Sequence, residues 1–296
     1  MNKRFRRIAV LMGGPSSERD ISLASGRAVA SALTGLGYDV TPVTLADDQV
    51  DLPGDTEAVF IALHGAFGED GQVQSILEAR GIPFTGSGSA SSRLAFDKLE
   101  TKKVLERCGI PTPPYEMLGA GQPPTLSLPL VIKPPRQGSS IGIHIVKEST
   151  AWTAACEHAL SFGPDVMVEA FISGRELTVG VIDRQVLPIV EIRAPEGNYD
   201  FQAKYTKGMT EYLCPAPLPD AVTRTLQQIA LDTFDALGCR GLGRVDFRLT
   251  EANEPYVLEL NSIPGFTETS LLPKAAKAAG IDFPDLCELV LNQARC

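Results

Sequence analysis

Residues 243–265, GRVDFRLTEANEPYVLELNSIPG, read as two strands around a polar turn, with charge where a hairpin ordinarily carries packing residues. Strand side chains alternate between faces, so Val245, Phe247 and Leu249 share one face while Arg244, Asp246 and Arg248 share the other. In the second strand Tyr256, Leu258 and Leu260 point one way, and Val257, Glu259 and Asn261 the other. With a turn over 250–255 and Leu249 paired to Tyr256, Asp246 falls opposite Glu259 and Arg244 opposite Asn261. Two carboxylates about 5 Å apart repel by about 3 kcal/mol at an effective dielectric of about 20, which requires a cation between them or a proton on one. Asp, Glu and Asn offer hard oxygen donors, suited to magnesium with phosphate rather than to zinc. A solvated outer face on an edge hairpin would carry the same alternation, so the alternation alone does not choose between the two.

The rest of the chain narrows the choice. Its 296 residues suffice for two or three domains with sizeable cores, and 44% hydrophobic with 21% charged is ordinary globular composition. A net charge of −9 argues against a nucleic-acid or anionic-membrane partner, while leaving room for a local basic pocket. The start, MNKRFRRIAVLMGGPSSERD, has too brief an apolar run for a secretion signal or a membrane span, so a cytoplasmic location is expected. Cys108, Cys156, Cys214, Cys239, Cys287 and Cys296 form no CxxC pair and no Cys/His cluster, and read as reduced packing thiols.

RIAVLMGG is a short apolar strand ending in glycines. The following segment places Ile21, Ala24, Ala28, Val29, Ala32, Leu33 and Leu36 on one helical stripe, with Ser17 as the cap and Gly37 as the stop. DVTPVTL, AVFIALHG and GQVQSILEARG continue the alternation of strand and helix, giving an open α/β domain that ends near PFTGSG. Ligands of such sheets bind beyond the strands' carboxyl ends, which puts Gly13, Gly14, Glu18 and His64 at the mouth of a cleft. Taken singly, Glu18 could as well complement a helix dipole, and His64 could be a packed or capping residue. SASSRLAFDKLETKKVLERCG reads as two helical segments, and a proline-rich connection leads into a second domain. There Lys133 ends a strand, and RQGSSIG bends into the next as a loop whose N–H groups and hydroxyls could cover phosphates, although a plain turn has the same composition. DVMVEAFISGRELTVGVID reads as a strand pair, and residues near 195–210 as a long mobile loop of the kind that forms lids.

The succession VLMGGPSSERDIS, HGAFGEDG, FDKLETKKVL, VIKPPRQGSSIG, VEAFISGRELTVGV, KYTKGMTEYLCPA, GRVDF and LELNSIPGFTETSLLP resembles the D-alanine–D-alanine ligases of the ATP-grasp superfamily, over essentially the whole chain. The resemblance implies an α/β (α+β) fold of three domains: an N-terminal open α/β domain over 1–88, a small central ATP-grasp domain over 89–172 and a C-terminal ATP-grasp domain over 173–296. It implies ATP-dependent joining of two D-alanines through a D-alanyl phosphate, for peptidoglycan precursors, by a cytoplasmic homodimer. Asp246, Glu259 and Asn261 match the family's ligands for two magnesium ions, for which manganese can substitute, and Lys98 and Lys133 match its ATP-phosphate contacts. Glu169 and Glu176 match the residues on the adenine amine and the ribose hydroxyls, with Phe171 near the base. Glu18 matches the contact to the first D-alanine's ammonium, and His64 falls on the same substrate site. Ser270 and the Leu271 amide match the contact to the second D-alanine's carboxylate, and Arg244 with the Gly265 amide the oxyanion pair. Ser139, Lys204 and Tyr205 match loop residues that close over the acyl phosphate, with Tyr205 and Ser139 linked through hydrogen bonds to Glu18. The tyrosine in KYTKG is similar to that of dipeptide-forming members rather than of relatives that take D-lactate or D-serine.

Overall fold

The computed structural model describes residues 3–194 and 209–296. Lys204, Tyr205 and nearly all of the loop expected near 195–210 therefore lie outside the described residues.

The first sheet is parallel, with β1 (Arg7–Gly13) between β2 (Asp39–Leu45) and β3 (Ala58–Ile61). β1 is buried at every position after Arg7, as its unbroken apolar run requires of a central strand covered on both faces. The crossover helix α1 (Arg19–Gly35) buries Ser22, Ser25, Gly26, Val29, Ala30 and Leu33, a stripe one position away from the expected one. Small residues face the sheet because helix and strand approach closely. A Cβ on Gly26 would sit 2.5 Å from that of Met12, and the Ser22 hydroxyl bridges the Gly13 N–H at 2.8 Å and the Ala62 carbonyl at 2.7 Å. The cap position of α1 is Glu18 rather than Ser17, and the helix stops before Gly37, whose φ of +79° suits a left-handed stop.

Three helices, α2 (Gln72–Ala79), α3 (Ser89–Phe96) and α4 (Lys98–Arg107), lead to the central sheet. Asp97 caps α4 by accepting from the Leu99 and Glu100 N–H groups. That sheet has the antiparallel order β4 (Tyr115–Gly119), β7 (Asp165–Ala170), β5 (Leu130–Lys133), β6 (His144–Val146), and α5 (Trp152–Leu160) packs on one face of it. The third sheet runs β11 (Glu211–Leu213), β10 (Val190–Arg193), β8 (Arg175–Ile182), β12 (Leu242–Leu249), β13 (Pro255–Asn261), with β9 (Gln185–Val186) beside β8. β7 and β8 are both strands, as expected, yet they do not pair with each other; they belong to different sheets. Gly174 makes the transfer, at φ +140° and so close to the Leu249 carbonyl that a Cβ there would lie 2.0 Å from its oxygen.

One face of the third sheet packs on α6 (Asp220–Ala236) and α4. The other face joins α7 (Leu271–Ala278), α8 (Phe283–Asn292) and the first sheet in a single core that includes Val10, Met12, Ile182, Val190, Leu286 and Val290. Tyr38, just beyond α1, donates to Glu288 of α8 at 2.7 Å, and Phe84 bridges both Val59 and Arg295. The two ends of the chain are thus packed together, and the carboxyl ends of β1 and β3 face the hairpin β12–β13.

Candidate active site

β12 alternates as its sequence requires, with Val245, Phe247 and Leu249 buried. Its pairing starts one residue away from the expected register: Leu249 faces Pro255, Arg248 faces Tyr256 and Phe247 faces Val257. Continued, this register would set Asp246 opposite Leu258. A bulge between Asp246 and Phe247 takes up that extra residue, so that Asp246 faces Glu259 and Arg244 faces Asn261. The bulge also corrects the expected faces of the second strand, because Val257 and Leu260 are both buried while Glu259 and Asn261 line the cleft. Strict alternation would have put Val257 on the polar face. The extra residue lets valine and glutamate each keep the surroundings its chemistry needs.

The facing carboxylates are compensated by the protein's own cations. Arg244 grips Asp246 through Nε to Oδ1 at 2.9 Å and Nη2 to Oδ2 at 2.8 Å, a two-point fork. The buried Thr178 hydroxyl donates to Asp246 Oδ1 at 2.5 Å, and Asn261 Nδ2 donates to Oδ2 at 3.0 Å. Lys98, at the start of α4, places Nζ 3.2 Å from Glu259 and 2.6 Å from the Gln137 carbonyl of the glycine-rich loop. The donor set fits a hard cation: with Nδ2 committed to Asp246, Asn261 retains Oδ1, and the other donors are carboxylate oxygens. Among the described residues no three His, Cys, Asp or Glu side chains gather as a metal cage. Such a set suits a magnesium ion shared with ligand oxygens such as phosphate rather than one held by protein alone.

Above the hairpin lies a cavity of about 620 Å³ whose lining includes Glu18, His64, Ser139, Arg244, Glu259, Asn261, Gly265, Ser270 and Leu271. Residues separated by most of the chain thus meet at one place. Glu18 is 8% exposed and accepts a short hydrogen bond from the Ser139 hydroxyl, across from the central sheet's loop. Ser139 and Ser140 adopt φ of +50° and +59°, costly for residues with a Cβ and a sign that the loop is held in shape by its surroundings. His64 is buried, with Nδ1 3.1 Å from the Ile263 carbonyl and Nε2 3.0 Å from the Ser25 hydroxyl, and Ser25 in turn accepts from the Phe266 N–H at 3.3 Å. Its ring ties the first sheet to the segment after β13. Ser270 is the cap position of α7 and accepts from the Thr267 N–H at 3.1 Å, which leaves Leu271 as the first residue of a helix start rich in unpaired N–H groups. Gly265 lies so close that a Cβ there would be 3.2 Å from the Ser270 hydroxyl.

Glu169 and Lys133 lie elsewhere, in a buried cluster with a third residue that sequence reasoning missed. Glu169, 2% exposed, receives the Lys102 ammonium on Oε1 at 2.5 Å and that of Lys133 on Oε2. Burial disfavours the Glu169 charge, yet the two lysines together hold its carboxyl below the ordinary range. Burial pushes Lys102 down to about 8, and Glu169 keeps it from falling further. Lys102 stands four residues after Lys98 on α4, a spacing that puts both on one helix face and could have revealed it. Glu176 pairs with Arg248 at 3.0 Å, and the Arg248 guanidinium lies 5.9 Å from the centre of the Phe171 ring. Glu176 and Arg248 border a smaller cavity of about 250 Å³ that also involves Glu191, another missed residue, gripped by Arg175 at 2.9 and 2.8 Å. Glu69 was missed as well; it lines the large cavity and accepts from the Gly65 N–H at 3.1 Å.

Two family models match the chain: D-ala D-ala ligase C-terminus over residues 104–292 and D-ala D-ala ligase N-terminus over residues 46–87. The chain is 50% identical to the D-alanine–D-alanine ligase of Methylacidiphilum infernorum over 287 residues, covering 97% of this chain and 95% of that one. It is also 50% identical to that of Syntrophotalea carbinolica over 295 residues, covering 98% and 96%. Among solved structures, the D-alanine–D-alanine ligase of Bacillus anthracis complexed with ATP superposes with a TM-score of 0.86 at 32% identity, covering 97% of each chain.

Proposed function

The chain belongs to the D-alanine–D-alanine ligases, and on that premise we propose how its residues divide the work of an ATP-dependent ligation. The enzyme joins two D-alanines to D-alanyl-D-alanine for peptidoglycan synthesis, with ATP as co-substrate. The observation that carries the division of roles is the single cavity in which Glu18, Arg244, Gly265 and Ser270 converge above the Asp246–Glu259 hairpin.

In this reading, domains over 1–88, 89–172 and 173–296 each contribute one wall of the reaction space. Glu18 holds the first D-alanine's ammonium, a role for which a carboxylate anchored by Ser139 is chemically apt. His64 steadies the wall behind that substrate through its bonds to Ser25 and Ile263. Lys98 and Lys133 hold ATP phosphates, while Glu169, Glu176 and Phe171 hold the adenine amine, the ribose hydroxyls and the base. Asp246, Glu259 and Asn261 hold two magnesium ions, or manganese in their place. Held there, such ions would supply positive charge to the phosphates while a phosphoryl group passes to the first D-alanine's carboxylate. The second D-alanine docks its carboxylate on the Ser270 hydroxyl and the Leu271 N–H, where the α7 start favours an anion. Its amine then attacks the acyl phosphate, and Arg244 with the Gly265 N–H steadies the oxyanion that develops before phosphate departs. Lys204 and Tyr205 close over the acyl phosphate and exclude water. The cytoplasmic setting is supported by the six cysteines, all present as free thiols. A homodimer completes the reading, as the family's usual form.

The test is phosphate release from ATP with and without D-alanine, with the product identified by mass and D-lactate, D-serine and L-alanine as competing second substrates. Release that requires D-alanine, with D-alanyl-D-alanine as the principal product, is the expected outcome. Release indifferent to D-alanine would overturn the reading.

A further inference from the structure

Lys102 is fully buried, yet its ammonium is placed with care. Nζ lies 2.5 Å from Glu169 Oε1 and 2.5 Å from Thr112 Oγ1, and the Thr112 hydroxyl donates at 2.8 Å to the Val257 carbonyl of β13. A lysine out of water is tolerated only where its charge is matched, and here it is matched by the carboxylate assigned above to the adenine amine. The two ammoniums on Glu169 are not equivalent. Lys133 ends β5, immediately before the glycine-rich loop, and is assigned to phosphate. Lys102 is closed off from solvent, held between Glu169 of β7 and the Thr112 tether to the hairpin.

We propose that Lys102 is a positioning residue that keeps Glu169 charged and aimed at the exocyclic amine of adenine, and so sets the enzyme's preference for an adenine nucleotide. The inference rests on the reading of Glu169 as the adenine contact. When Lys133 turns to the phosphates, Glu169 Oε2 is released to accept from the amine, and Lys102 on Oε1 remains as the counter-ion that keeps the carboxylate ionised. Without Lys102, the carboxylate retains Lys133 as its only counter-ion, and the oxygen that reads the amine stays occupied. Lys102 touches no substrate in this scheme; it acts through Glu169 alone. The Thr112 link makes the placement depend on the hairpin, so the adenine contact and the metal site are built on one rigid support.

The experiment compares kcat/KM for ATP with that for inosine triphosphate, which carries a carbonyl where adenine carries its amine, at saturating D-alanine. The parent is compared with Lys102→Met, Thr112→Val and Glu169→Gln. Losing a hydrogen bond to a charged partner corresponds to about tenfold or more. The expected result is that the ATP-to-inosine-triphosphate ratio falls by about tenfold or more in Glu169→Gln and Lys102→Met, and by a smaller factor in Thr112→Val, which keeps the charge but loses its tether. The loss should sit in KM for ATP, with kcat changed by less than about threefold. A ratio that collapses in Glu169→Gln but keeps its parental value in Lys102→Met and Thr112→Val overturns the role of Lys102 and leaves that of Glu169 standing. Equal losses for both nucleotides in Lys102→Met would mean a purely structural lysine, which also overturns it. A ratio unmoved in all three variants rejects the adenine reading of Glu169 and the inference with it. Should Lys102→Met fail to fold, Thr112→Val decides between these outcomes.

Discussion

At the scale of single residues, the site is a set of charges that the protein itself already pairs. Glu259 faces Asp246 across the hairpin and borrows its compensation from Lys98, which is also assigned to phosphate. Glu259→Gln removes one charge from the proposed cation site, so magnesium should bind at least about tenfold more weakly, the lower end of what losing even an outer partner of a metal ligand brings. Turnover measured against magnesium concentration should show a midpoint displaced upward and a fold intact by circular dichroism; an unmoved midpoint would remove Glu259 from the metal site. Ser270 offers a subtler case because its hydroxyl already organises the turn before α7 through Thr267. Ser270→Ala should raise the KM of the second D-alanine by about tenfold or more, the worth of one hydrogen bond to a carboxylate. Separate fits for the two D-alanine sites check this, and equal weakening of both would contradict the assignment.

At the scale of elements, the central sheet supports the glycine-rich loop from behind. His144 on β6 and His158 on α5 place Nε2 and Nδ1 2.7 Å apart, and Phe162 meets His158 edge-on at 5.4 Å between ring centres. Burial first, and the neighbouring His158 second, pull His144 below its ordinary value of 6.5. A histidine that resists protonation when folded takes up its proton more readily when unfolded. Its contribution to stability is therefore complete above about pH 6.5 and is lost as pH falls below that value. The unfolding temperature should drop between about pH 7.5 and about pH 5.5, and the drop should be smaller in His144→Gln. An identical drop in parent and variant would mean that the pair does not govern the acid sensitivity of this sheet.

At the scale of the whole molecule, the first sheet does not complete its own core. Val10, Met12 and Phe60 share one buried core with Leu286, Val290 and Leu291 of α8, all three of which are inaccessible to solvent. Burying each such side chain contributes about 1.5–3 kcal/mol, so the three together rival the whole stability of an ordinary domain, about 5–15 kcal/mol. A chain ending at Gly280 should consequently lose cooperative thermal unfolding and D-alanine-dependent phosphate release together. A truncated chain that still melted in one sharp transition near the parental temperature would show that α8 is dispensable to the N-terminal fold.

What the sequence determined by itself was whatever depends on neighbours along the chain. The unbroken apolar run of β1, the stop of α1 before Gly37, the two segments that became α3 and α4, and the alternation of β12 follow from periodicity and backbone preference, which act within a few residues. Long spaced motifs carried the family, and with it the residues to watch. Only the tertiary structure decided the bulge that turns Val257 inward while keeping Glu259 on Asp246, because that bulge answers to packing on both faces of the hairpin. It also decided the serine-and-glycine face of α1, the parting of β7 from β8 into two sheets at Gly174, and the burial of Lys102 on Glu169. Each of these is fixed by an approach between segments remote in the chain, and a local pattern contains no term for the distance between such segments.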